Sequence, residues 1–164
     1  MWGDTVRVDV LGVGFDSLTL EEAAEQGMEL LHAEGTQYVV TPNPEIVEVY
    51  RENRAAREAV NGAALVLPDG IGVIKGAAVL GTPPKERVPG IEFAARLLEK
   101  MAAEGMALYL LGAKPGVAEI ASERLRARYP GLRITGTHDG YFQEDAPVVE
   151  KIRQSGADAV FVCL

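Results

Sequence analysis

A chain of 164 residues suits one domain with a single adequate core, here spanning 1–164. Its composition is 48% hydrophobic and 24% charged, with 24 acidic against 16 basic side chains and a net charge of −8. That balance argues against a nucleic-acid partner and against electrostatic adhesion to anionic lipid, and the lone Cys163 excludes an internal disulfide or a cysteine zinc cage.

The start, Met1-Trp2-Gly3-Asp4-Thr5, has no signal-peptide pattern, and no apolar run reaches the roughly 18 residues of a bilayer span, so a cytoplasmic protein is expected. Val6 to Leu11 alternates apolar and polar, the period of a half-buried strand, with Gly12 and Gly14 as punctuation. Thr19 is placed to cap a helix from Leu20 to about Ala33, whose first turns carry Glu21, Glu22 and Glu25. His32 near its end reads as a dipole partner rather than a ligand. Thr36 to Val40 is the next strand, followed by Thr41-Pro42-Asn43-Pro44-Glu45. Pro44 suits the first position of a helix that continues through Val60. Asn43 either caps that helix or, with Thr41, offers polar groups to a ligand.

The stretch from Ala63 to Gly90 organises the rest. A short apolar run, Ala63 to Leu67, has the character of a buried parallel strand, and Pro68 ends it. Asp69, Gly70 and Gly72 follow, then an apolar segment from Ile71 to Leu80. A carboxylate at that point lies at the carboxyl edge of the sheet, where open α/β sheets bind ligands. The plainer reading is that Asp69 caps the next helix. Arg87, in a tight proline-bounded loop, is a second candidate site charge.

Ile91 to Ala103 patterns as an amphipathic helix and Ala107 to Leu111 as a buried strand. Gly112-Ala113-Lys114-Pro115-Gly116 then turns into a helix from Val117 to Tyr129, a geometry that can aim backbone N–H groups at an anion. It is neither a Walker loop nor a Gly-x-Gly-x-x-Gly turn. Leu132 to Thr137 is a strand, and Tyr141 beyond it could stack on a base or simply pack in its loop. A helix from Glu144 or Asp145 through Ile152 leads to a last strand, Ala157 to Leu164. Strand and helix in alternation predict an α/β fold with a doubly wound, mainly parallel, Rossmann-like sheet and helices on both faces. A chain stopping at an apolar strand reads as cut short.

Several stretches together carry a family resemblance: Gly12-Val13-Gly14-Phe15-Asp16, Thr41-Pro42-Asn43-Pro44-Glu45, Leu67-Pro68-Asp69-Gly70-Ile71-Gly72, Glu86-Arg87-Val88-Pro89-Gly90, Leu111-Gly112-Ala113-Lys114-Pro115-Gly116 and Asp139-Gly140-Tyr141-Phe142. In this order the chain resembles the TagA/WecG/CpsF glycosyltransferases, glycosyltransferase family 26. The resemblance implies an inverting transfer of N-acetylmannosamine from its UDP donor to undecaprenyl-diphosphate-linked N-acetylglucosamine, in the synthesis of wall teichoic acid or a related polymer. It implies no metal and no cofactor, and no Asp-x-Asp is present. Asp69 would be the general base with Thr41 beside it, and Arg87 would face the leaving diphosphate. Asn43 and Gly70 would help hold the donor, and Gly112, Ala113 and Tyr141 would contact the nucleotide.

Members of the family continue past the last strand into a Gly-x-Pro-x-Gln-Glu segment and a basic, membrane-engaging tail. The expected location is therefore peripheral, at the inner face of the cell membrane, for a chain carrying that tail. A homo-oligomer is also expected, because an incomplete wound domain exposes apolar surface. The competing expectation is a UDP-sugar-binding module without chemistry.

Overall fold

The structure, a computed structural model, describes residues 6–163. They form two compact units that divide between Leu97 and Leu98.

The first unit opens with β1 (Arg7–Val10) and β2 (Val13–Asp16), paired antiparallel so that Val8 faces Phe15 and Val10 faces Val13. The expected strand forms over Arg7–Val10, with Leu11 already in the turn, and its partner is Val13–Asp16, which periodicity alone passes over. The reason lies in the connection. Leu11 and Gly12 take φ of 55° and 92°, the positive pair that matches the twist of a two-residue hairpin, and the Asp9 carboxylate accepts the Gly12 N–H at 3.2 Å.

After Thr19 comes α1 (Leu20–His32). Thr19 Oγ1 accepts the Glu22 N–H and the Glu22 carboxylate accepts the Thr19 N–H, a complete capping box. The Thr19 N–H, and next to it the Lys85 ammonium, hold the Glu22 carboxyl below its ordinary range. His32 lies exposed in the last turn of α1, among the carbonyls of the helix's negative end.

The short strands β3 (Val39–Val40) and β4 (Leu65–Val66) pair parallel, joined by α2 (Pro44–Glu52) and α3 (Arg54–Asn61). Pro44 opens α2 and Asn43 caps it, accepting the Ile46 N–H at 2.9 Å. The expected single helix is broken in two at Asn53, which ends α2 and caps α3 by accepting the Ala56 N–H at 3.1 Å. A short polar side chain competing for backbone groups explains the break.

Val8, Val10, Val13, Phe15, Val47, Tyr50, Val66 and Val73 belong to one core cluster. Asp16 lies inside this unit at 2% exposure. Arg7 donates to its Oδ1 at 3.0 Å and the Val66 N–H to its Oδ2 at 2.7 Å, which ties the hairpin to β4. Without that carboxylate the buried Val66 N–H would lack a partner, at a cost of about 1–3 kcal/mol. Beyond β4 come α4 (Ile71–Val79) and α5 (Gly90–Ala103), whose residues from Leu98 on belong to the second unit.

The second unit is a parallel three-stranded sheet in the order β6-β5-β7, from β5 (Ala107–Gly112), β6 (Arg133–His138) and β7 (Ala159–Cys163), with α6 (Val117–Arg128) and α7 (Asp145–Ser155) in the connections. Val148 and Ile152 of α7 pack with Tyr109, Leu111 and Val160. Burial raises the Tyr109 phenol.

The elements make an α/β protein with parallel pairing in both units. The described strands are divided among three sheets, and the first pair is antiparallel. Among the described residues no helix is long and apolar enough to cross a membrane.

Candidate active site

Two parallel strands that end side by side put Thr41 just past β3 and Asp69 just past β4, at the same carboxyl edge. Pairing continues one step beyond the strands, where the Leu67 N–H donates to the Val40 carbonyl at 2.9 Å.

Asp69 does not cap α4. Gly70 holds the cap position, with φ of 81° and no side-chain hydrogen bond. Instead, Asp69 Oδ1 accepts the Gly70 N–H at 2.6 Å and Oδ2 accepts the Gly90 N–H at 3.2 Å. Gly90 is the first residue of α5, so the carboxylate stands at that helix's positive end and links the loop after β4 to the loop before α5. Each oxygen keeps a second acceptor site for a ligand hydroxyl.

Thr41 meets the same point. A Cβ added to Gly90 would lie 2.9 Å from Thr41 Oγ1, so any side chain there would force Thr41 to shift. On the other side, a Cβ on Gly72 would come within 2.6 Å of Pro44 Cγ, and one on Gly70 within 3.2 Å of Pro44 Cδ. Thr41, Asn43, Asp69, Gly70 and Gly90 thus share one edge. Asn43 spends its carbonyl oxygen on the cap of α2; its amide hydrogens are the donors that remain for a ligand.

Arg87 occupies the loop that runs into this edge. The Val88 N–H donates to the Pro68 carbonyl at 3.1 Å, which brings Arg87 into the neighbourhood of Asp69. Its guanidinium faces Glu92 at 3.6 Å, with both side chains about half exposed. An exposed pair of that length contributes at most about 1 kcal/mol, so an incoming anion can displace Glu92 with little loss.

In the second unit the turn after β5 and the loop after β6 meet. The Ala113 N–H donates to the Cys163 carbonyl at 3.0 Å and the Gly140 N–H donates to the Ala113 carbonyl at 2.9 Å. Gly112 has φ of 130° and Ala113 φ of 62°. The Tyr141 N–H is held by the Asp139 carboxylate at 2.8 Å, while its side chain is 71% exposed. Tyr141 is therefore not a packed loop aromatic. Phe142 fills that role, edge-on to His138 at 5.7 Å and against the core of the unit.

Sequence reasoning missed Gly90 and the function of Gly72. The available signal was Pro89-Gly90 immediately before a well-patterned helix, together with glycine at both 70 and 72. What those glycines approach is set by residues far away in the chain. Among the described residues no group of three or more His, Cys, Asp and Glu side chains could hold a metal ion.

The family model described as the glycosyl transferase WecG/TagA/CpsF family matches residues 8–164. Among curated proteins, the chain is similar to the N-acetylglucosaminyldiphosphoundecaprenol N-acetyl-beta-D-mannosaminyltransferases of Staphylococcus aureus strains NCTC 8325 / PS 47, COL and MRSA252. Each is 35% identical over 162 residues, 97% of this chain. The chain spans 63% of the length of these relatives. With the family match running over nearly every residue that builds the two loop clusters, the chain belongs to the WecG/TagA/CpsF glycosyl transferase family.

Proposed function

We propose that the chain carries the site of an inverting, metal-independent sugar transfer from UDP-N-acetylmannosamine to undecaprenyl-diphosphate-linked N-acetylglucosamine. The observation that carries this reading is the Asp69 carboxylate, fixed by the Gly70 and Gly90 N–H groups at the carboxyl edge of β3 and β4, with Thr41 against the same glycine. The names of the S. aureus relatives supply the acceptor and the transferred sugar.

In the proposed step Asp69 takes the proton of the acceptor hydroxyl while the hydroxyl oxygen bonds to the anomeric carbon. The bond from that carbon to the UDP oxygen breaks, and the electron pair leaves with the diphosphate. Arg87 stabilises that charge by bidentate hydrogen bonds, the role a divalent ion has in other transferases. Asn43 and Gly70 hold the donor, and Gly112, Ala113 and Tyr141 contact the nucleotide. The same reading keeps 1–164 as one doubly wound domain. It also takes the protein to the inner membrane surface, where the acceptor resides, as a homo-oligomer detectable by light scattering. Exposed Ile71, Val79, Leu80 and Ile91 provide apolar surface for such contacts.

The test is release of UDP from UDP-N-acetylmannosamine with a lipid-linked acceptor, using the protein as its gene encodes it. Turnover is expected, and it is expected to persist in EDTA. Binding of UDP without turnover would favour a sensing module. Activity lost on chelation and restored by magnesium would take the leaving-group role away from Arg87.

A further inference from the structure

The residues on either side of Arg87 are held from two directions. Upstream, the Lys85 N–H donates to the buried Ser17 hydroxyl at 3.0 Å, and the Lys85 ammonium reaches both Glu22 oxygens at 2.9 and 3.1 Å. Glu86 Oε2 accepts the N–H of Leu20, the first residue of α1, at 3.0 Å. Downstream, Val88 bonds to Pro68 and Gly90 to Asp69. Arg87 is the single residue between the two sets of anchors, and its side chain is 46% exposed.

The capping box of α1 serves the Thr19 and Glu22 N–H groups, and Glu86 adds a partner for the Leu20 N–H from a loop 66 positions away. The one ion pair among these contacts, Lys85 with Glu22, is exposed and adds little to global stability. Together they remove the conformational freedom of the loop that carries Arg87, so its ordering is not left to the moment of binding.

We propose that Ser17, Glu22 and Glu86 are positioning residues for Arg87. They lock the loop between α4 and α5 onto the first turn of α1, so the guanidinium is in place before the ligand arrives. The inference rests on the leaving-group role given to Arg87 above. A group already in place acts on the transition state and requires no reordering at the moment of reaction, so its displacement is read in kcat.

The experiment measures kcat and the donor KM by UDP release, in the full protein, for Glu86→Ala, Glu86→Gln, Ser17→Ala, Arg87→Ala and the Glu86→Ala/Arg87→Ala double variant. Glu86→Ala is expected to lower kcat roughly 10- to 100-fold with little change in KM. Glu86→Gln should recover most of the rate, because its amide oxygen still accepts the Leu20 N–H. In the Arg87→Ala background Glu86→Ala should have no further effect, the non-additivity of residues acting through one group.

Native kcat in both Glu86→Ala and Ser17→Ala, or additive losses in the double variant, would overturn the inference and leave Arg87 its role. Native kcat in Arg87→Ala would overturn both. Should Glu86→Ala not fold, Ser17→Ala, which removes one bond from Lys85, carries the test. Its failure to fold as well would show the brace to be a stability element and end the proposal.

Discussion

Asp69→Asn is expected to lower kcat by about 10²- to 10⁴-fold, the range for loss of a positioned general base. The substitution keeps the shape of the side chain. Its carbonyl oxygen can still accept one of the two N–H groups that now hold the carboxylate, from Gly70 and Gly90. The amide nitrogen cannot accept the other, so one of these contacts is lost along with the base. Affinity for UDP should change far less than kcat, because in the proposed step Asp69 acts on the acceptor's proton. Isothermal titration with UDP, alongside initial rates on the lipid-linked acceptor, separates the two effects. An Asp69→Asn enzyme with a native rate would remove Asp69 from the chemistry and reduce it to a tie between two loops.

The second large effect is structural. Gly112→Ala should destabilise the second unit by about 3 kcal/mol or more, from a strained φ together with a backbone collision. The added Cβ would press directly on the Cys163 carbonyl, the group that accepts the Ala113 N–H. That contact lies where β5 pairs with β7, at Gly112 opposite Cys163. The collision is with main chain, so no rotamer change relieves it. Urea unfolding followed by circular dichroism should show the lower midpoint, and, with the nucleotide contact proposed for this turn, UDP affinity should fall as well. A variant with native stability would mean that the strand ends separate more easily than the close approach implies.

The parts of the fold set by neighbours in sequence were legible. Thr19 with Glu22, Pro44 after Asn43, and Gly116 before Val117 each mark a helix start through contacts within three or four residues, and all three helices begin there. Asp69 was legible as an edge residue because Pro68 ends the strand before it. Its partner was not, since the Gly90 N–H lies 21 positions away. The second strand of the hairpin was hidden because Val13, Gly14, Phe15 and Asp16 alternate too briefly to stand out, and because the turn needs Leu11 in a conformation leucine rarely adopts. For Asn43 the two readings did not exclude each other: the side chain caps α2 and also lies at the candidate site. At Tyr141 exposure sets aside the packed-loop reading, which the sequence alone left open.

The bond between the Val66 N–H and Asp16 joins positions 50 residues apart, whereas the hairpin that presents Asp16 closes over only a few. Local pairing can form on the microsecond scale, but a contact across so long a loop must wait for the intervening chain to be ordered. The edge that bears Asp69 is therefore expected to be among the last parts of its unit to consolidate. Removing the Asp16 carboxylate should then show itself mainly as faster unfolding, with refolding nearly unchanged. Stopped-flow chevrons of Asp16→Ala would reveal this, and a variant that mainly slowed refolding would place the contact in the nucleus instead. On this expectation, the region proposed for catalysis opens before the hairpin does.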